Sequence, residues 1–216
     1  MSDTFRLDRN AAALFDAAGR RFDPGSEEWT AAGPPFGEAV DARAAARWRQ
    51  RESRHPLRAP VGVIGPRDAT GRQFAAAEAV GRGLAEMGFA VICGGRAGVM
   101  EAACKGAAAA GGTSIGLLPD AEPSAANPYA TIVVATGLGE ARNAVIARAA
   151  LCLVAIGDSF GTLSEVALGR QFGKLVIGLE GAPRVDGVIH VATPAAALVL
   201  VAQRALGFVA TSADRG

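Results

Sequence analysis

From Pro60 onward the chain alternates short β-branched runs with alanine-rich stretches of helical period, and the runs end in glycine. Residues 61–65 (VGVIG) read as a strand, 72–87 as a helix, and 89–93 (FAVIC) as a second strand running into Gly94-Gly95. A helix over 99–110, a strand over 113–118, a long loop through Asn127 and a strand over 131–135 follow. Then come a helix over 140–149, a strand over 151–156, a helix over 162–172 and a strand over 175–179. Residues 188–206 suit a short strand and a closing helix that begins near Pro194. Strands separated by helices of this length cannot pair as hairpins. They need right-handed crossovers, and so a parallel sheet covered on both faces.

The expected fold is therefore α/β, doubly wound, mostly parallel and Rossmann-like, over residues 60–216. Residues 1–59 form an N-terminal extension of different character, rich in Arg, Asp, Glu and Ala, with Pro24, Pro34, Pro35 and both tryptophans, Trp29 and Trp48. Within it, 36–51 suits a helix with Val40, Ala44 and Trp48 on a narrow apolar stripe. So thin a stripe does not fold alone. Either the segment packs on the main domain or on another subunit, or it is a partly disordered arm.

Bulk composition narrows the functional classes. The 216 residues are 50% hydrophobic with a formal net charge of +1, which excludes the basic footprint of a general nucleic-acid binder. No apolar run reaches the roughly 20 residues of a membrane-spanning helix, and the start, MSDTFRLDRN, lacks a secretory pattern. Cys93, Cys104 and Cys152 sit among small or apolar residues with no C-x-x-C pair, which suits reduced thiols and a cytoplasmic protein. Only His55 and His190 are available as imidazoles, so no metal site is expected. Lys105 and Lys174 are the only lysines, and Lys105 suits a solvated helix position.

The 28 glycines cluster at the carboxyl ends of the expected strands: Gly65; Gly94, Gly95 and Gly98; Gly137 and Gly139; Gly157 and Gly161. That edge of a parallel sheet is where ligands bind, and glycine lets backbone N–H groups and helix N-termini approach an anion. Any one cluster could simply make a tight turn; four along one edge point to a phosphate-accepting crevice. The dinucleotide fingerprint is absent, because Gly65 is followed by Pro66-Arg67-Asp68 and the second strand ends without an acidic residue. Walker A is absent too, since neither lysine follows such a loop.

Three stretches carry a resemblance: GGRAGVMEAACKGAAAAGG (94–112), TGLGEARNAVIARAA (136–150) and GDSFGTLSEVAL (157–168). With the loop from Pro119 through Asn127-Pro128-Tyr129, they resemble the LOG-like superfamily, over about residues 61–181. The nearest subgroup is the one that includes molybdenum cofactor carrier proteins. The related LOG enzymes hydrolyse the N-glycosidic bond of nucleoside 5'-monophosphates with an Arg and a Glu. The resemblance thus implies Arg142 and Glu165 as a catalytic pair, the carboxylate stabilising a cation-like sugar and the guanidinium holding phosphate or carboxylate. Glu165 can equally cap or ion-pair at its helix start.

Two departures separate this chain from those enzymes. Their Arg-Lys is here Arg142-Asn143, and their paired glycines before G-T are Asp158-Ser159. Ser159 and Thr162 still donate hydrogen bonds, whereas Asp158 repels phosphate unless it turns away or pairs with Arg67 or Arg96. These changes suit a larger pterin-phosphate, and the resemblance implies binding rather than turnover. Met100 either lines the pocket or fills the core, Asn127 either reaches a ligand or makes the turn before Pro128, and Thr136 either meets an anion or its own backbone. The expected function is a cytoplasmic, homo-oligomeric carrier of a small phosphorylated, nucleotide-like or pterin-like ligand, with the molybdenum cofactor as the candidate that the resemblance implies. The alternatives are a nucleoside-monophosphate phosphoribohydrolase and a non-catalytic regulatory or scaffold module.

Overall fold

The structure is a computed structural model and describes residues 4–208, so the expected domain's residues 209–216 lie outside the described residues. The chain begins with five strands absent from the sequence-based expectation. β1 (Phe5–Asp8), β2 (Ala13–Phe15), β3 (Arg20–Asp23), β4 (Glu28–Ala31) and β5 (Glu38–Val40) form an antiparallel sheet in the order β4-β3-β2-β1-β5. Helix α1 (Ala42–Arg51) follows, its N-cap Asp41 accepting from the Ala44 N–H at 2.8 Å. It starts at Ala42 rather than at residue 36 because Glu38–Val40 pairs with β1. Its buried stripe is consequently Ala42, Ala45, Ala46, Trp48 and Arg49, with Val40 placed on the sheet instead.

The extension is an ordered layer rather than an arm. Phe5, Leu7, Leu14, Phe22 and Trp48 share one continuous core with Val61 and Val63, with Val80 and Leu84 and with Val201 and Ala205. The Trp29 indole N–H donates to the Leu206 carbonyl at 2.6 Å, and the Phe208 ring packs on Phe5 and Trp29 with centroids 5.4 and 4.9 Å apart.

The main sheet follows the sequence closely. Its strands are β6 (Val61–Ile64), β7 (Val91–Cys93), β8 (Ser114–Leu118), β9 (Ile132–Ala135), β10 (Leu153–Ile156), β11 (Val176–Leu179) and β12 (Val188–His190). They are parallel throughout, in the order β12-β11-β10-β6-β7-β8-β9. Helices α2 (Gly71–Met87), α3 (Val99–Ala109), α4 (Arg142–Ala149) and α5 (Phe160–Gln171) lie in the crossovers, and α6 (Pro194–Ala205) follows the last strand. Helices α2, α3 and α6 share one core with the extension, while α4 and α5 bury Ile146, Ala147 and Val166 in a second core. β6, β10 and β11 are fully buried on both faces, which is why they read as continuous apolar runs. The strand order reverses between β6 and β10, and an open parallel sheet has its ligand crevice at such a switch point. Among the described residues no helix is long and apolar enough to cross a membrane.

Candidate functional site

The loops after β6 and β10 meet at this switch point around a crevice of about 710 Å3. Its walls are residues 66–68 after β6, Glu140 in the turn before α4, Asn143 in the first turn of α4, and residues 158–161 with Ser164 at the start of α5. Local sequence builds the α5 wall: Ser159 is the N-cap, its Oγ accepting from the Thr162 N–H at 3.1 Å and lying 2.8 Å from the Thr162 hydroxyl. The Asn143 amide donates to Ser164 Oγ at 2.8 Å and ties α4 to α5. A second hollow of about 420 Å3 shares Asp158 and continues along β11 and β12 past Glu180, Arg184 and His190.

Arg142 and Glu165 come together but do not form part of the crevice wall. Arg142 is the first residue of α4, Glu165 lies on α5, and Nη1 stands 3.6 Å from Oε1 with both side chains 8% exposed. Arg142 Nε and Nη1 are buried without a hydrogen-bond partner. The guanidinium lies against Gly94, where a Cβ would come within 2.5 Å of both terminal nitrogens and 2.6 Å of Met100 Sδ. Glycine at 94 therefore makes room for the arginine. Burial pushes the Glu165 carboxyl up to about 7, with Arg142 opposing the rise and Glu140 adding to it.

Gly65, Gly95, Gly98 and Gly157 hold loops together rather than open them. A Cβ at Gly65 would meet the Ile156 carbonyl at 2.4 Å, one at Gly95 the Gly116 Cα at 2.9 Å, and one at Gly157 the Gln73 amide at 2.5 Å. Gly98 has φ +72°, and a Cβ there would lie 2.1 Å from the Arg67 carbonyl. Gly161 belongs to the crevice wall itself, and Gly137 bonds through its N–H to the Asp120 carbonyl at 3.0 Å. Asn127 makes the turn: its side chain accepts from the Tyr129 N–H at 3.1 Å and donates to the carbonyls of Gly95 and Arg96 at 3.0 and 3.2 Å. Thr136 donates to the Leu118 carbonyl at 2.7 Å, so its hydroxyl serves the backbone. Met100 is buried beside Cys93 and Cys104, whose sulfurs are 3.5 Å apart. Lys105 pairs with Glu78 at 3.0 Å.

Residues 58–205, more than half of the chain, match the profile of the SLOG cluster4 family. The chain belongs to this family. Among solved structures, the SLOG cluster4 chain is similar to the molybdenum cofactor binding protein from Rippkaea orientalis, with 33% identity, a TM-score of 0.64 and coverage of 67% of this chain and 96% of that one. It is similar also to the molybdenum cofactor carrier protein from Chlamydomonas reinhardtii, with 36% identity, a TM-score of 0.62 and coverage of 68% and 98%. An uncharacterised protein from Archaeoglobus fulgidus is 37% identical over 134 residues, 62% of this chain and 88% of its own. The first 57 residues of this SLOG cluster4 protein lie outside the family match.

The charge of its crevice departs from a simple phosphate cradle. Asp68, Glu140 and Asp158 line the wall against a single guanidinium, that of Arg67. Arg96 is held by Asp120, with Nε 3.1 Å from Oδ2, and is not available to Asp158. Sequence reasoning does not single out Asp68, Glu140 and Phe160 as lining residues, although Glu140 and Phe160 stand inside the stretches 136–150 and 157–168. Their position in the glycine-flanked loops at the same strand edge was the available signal. Among the described residues, no three His, Cys, Asp or Glu side chains converge as metal ligands.

Proposed function

We propose that this protein binds and carries a phosphorylated, pterin-like small molecule, with the molybdenum cofactor as cargo, in the cytosol and as a homo-oligomer. The observation that carries the reading is the buried Arg142 guanidinium, whose Nε and Nη1 have no hydrogen-bond partner. A buried donor left unpaired costs about 1–3 kcal/mol; Arg142 stands directly before Asn143 of the crevice wall, and a ligand whose anionic oxygens reach in past that wall to the guanidinium offsets the cost. The carboxylates of Asp68, Glu140 and Asp158 suit the aminopyrimidine edge of a pterin, which presents paired N–H donors much as a guanidinium does. A bare phosphate would be repelled by the same three groups. Two similar proteins, matched over 96% and 98% of their lengths, are described as binding or carrying the molybdenum cofactor, which supports the choice of cargo.

The test is purification from cells that make the cofactor, followed by assays for molybdenum and pterin. Co-purification, a rise in Tm with added cofactor, and loss of both in Arg142→Ala are the expected results. Absence of both molybdenum and pterin, with no rise in Tm, overturns the reading. A second reading, phosphoribohydrolase activity, is favoured by the juxtaposition of Arg142 and Glu165. Free base and ribose 5-phosphate released from AMP by the wild type but not by Glu165→Ala would establish it in place of the carrier. The carrier reading expects no turnover, because Glu165 pairs with Arg142 and does not line the crevice.

A further inference from the structure

A separate hollow of about 250 Å3 lies far from the carboxyl edge of the sheet, where the extension meets the family domain. Its walls include Gly25 and Glu27 from the β3–β4 turn, Arg49 near the end of α1, and Arg54, His55 and Arg58 from the segment that follows. Three guanidiniums thus surround one carboxylate. Glu27 is already engaged, its Oε1 2.9 Å from Arg49 Nη2, and Arg49 Nη1 donates to the Ala205 carbonyl. Arg49 Nε is buried with no partner, on a side chain that is only 2% exposed. Neither Arg54 nor Arg58 makes a side-chain hydrogen bond or ion pair among the described residues. The next carboxylate, Asp23, accepts from the Gly25 N–H at 2.8 Å and stands near His55.

The positive excess is unfavourable as it stands. Burial pulls the Arg49 guanidinium below its ordinary value; Glu27 opposes this and the charge of Arg204 adds to it. A cation in the last turn of a helix has an ordinary explanation in the helix dipole. That explanation covers Arg49 but not Arg54 and Arg58, which lie beyond the end of α1.

We propose that this hollow binds a small doubly charged oxyanion, inorganic phosphate being the simplest, held between the guanidiniums of Arg49, Arg54 and Arg58. The volume accommodates such an ion with water and falls below the usual size of a pocket for a nucleotide or pterin. Arg58 is the first residue of the family match, and Arg49 and Arg54 belong to the extension, so a bound anion joins the two parts. It stabilises the folded state by mass action. The proposal does not depend on what the main crevice carries.

The experiment titrates the full chain with inorganic phosphate at ionic strength held constant with sodium chloride, following the backbone amide resonances of Gly25 and His55 together with Tm. Saturable shifts at both amides and a rise in Tm are expected. The double variant Arg54→Asn/Arg58→Gln changes exposed side chains without partners and relieves part of the positive excess, so its phosphate-free Tm should equal or exceed that of the wild type. Its affinity at these amides should fall by about tenfold or more, as loss of charge-assisted bonds implies. Arg142→Ala should leave both shifts intact, which separates this hollow from the crevice. Shifts that are absent, that never saturate, or that persist unchanged in the double variant overturn the proposal. A ribose 5-phosphate arm distinguishes sources: shifts equal to those from inorganic phosphate extend the site to phosphomonoesters, and phosphate shifts without ester shifts restrict it to the free ion.

Discussion

Two glycines four residues apart illustrate how much a single position depends on what surrounds it. At Gly94 a side chain would strike the flexible ends of Arg142 and Met100, which can move. Gly94→Ala should therefore change stability by only about 1 kcal/mol while displacing the guanidinium and abolishing ligand binding. At Gly98 the obstruction is the Arg67 backbone and φ is +72°. Gly98→Ala should cost about 2–4 kcal/mol, seen as a lower midpoint in urea. Glu165 makes a third test through pH. Its carboxyl is raised from an ordinary 4.5 to about 7, so the folded state keeps a proton that the unfolded chain releases. The associated stability is fully present below pH 4.5 and is lost as pH rises through about 7. Wild type should lose on the order of 3 kcal/mol relative to Glu165→Gln across that interval in urea melts, and a flat difference would exclude the buried near-neutral carboxyl. Asn143, Asp158 and Ser159, which the fold brings to the crevice wall, stand in ordered motifs, as does Arg142 behind the wall. Glu140 and Asp68, which set the crevice charge, were not legible, because sequence spacing does not report which loop residue faces a cavity.

At the scale of elements, β6 through β11 were legible because apolar runs separated by helical periods admit one arrangement. Strands β1–β5 were not, for a physical reason. Each has three or four residues, and segments such as RRFD and EWTA offer one or two apolar anchors apiece. Phe22 and Trp29 become strand residues only because a core supplied by α1, α2 and α6 is there to receive them, so the sheet is a tertiary product rather than a local propensity. The same shared core yields a prediction. Trp48, 1% exposed, sits within it, and Trp48→Ala should cost about 3–5 kcal/mol. Because extension and α/β sheet share that core, unfolding should remain one cooperative transition in calorimetry. Two separate transitions would show that the layers fold independently.

For the whole molecule, apolar side chains left at the surface of α4 and α5 bear on assembly. Val145, Leu163 and above all Phe160, which is 95% exposed, border the crevice and its flank. If a second copy covers them, light scattering gives a multiple of the chain mass for wild type and a smaller particle for Phe160→Ser; a monomeric wild type removes the homo-oligomer. The near-zero net charge, which spoke against a broad polyanion surface, conceals a strongly uneven distribution: carboxylates at the crevice and guanidiniums under the extension. The clasp between Trp29 and Leu206, 177 residues apart, also has a consequence for biosynthesis. At about 5–20 residues per second, the ribosome needs roughly ten to thirty-five seconds after Trp29 to reach that partner. Through that interval the nascent β1–β5 layer has no α6 to cover Phe5 and Phe22, so a layer made before the α/β sheet is completed only after it.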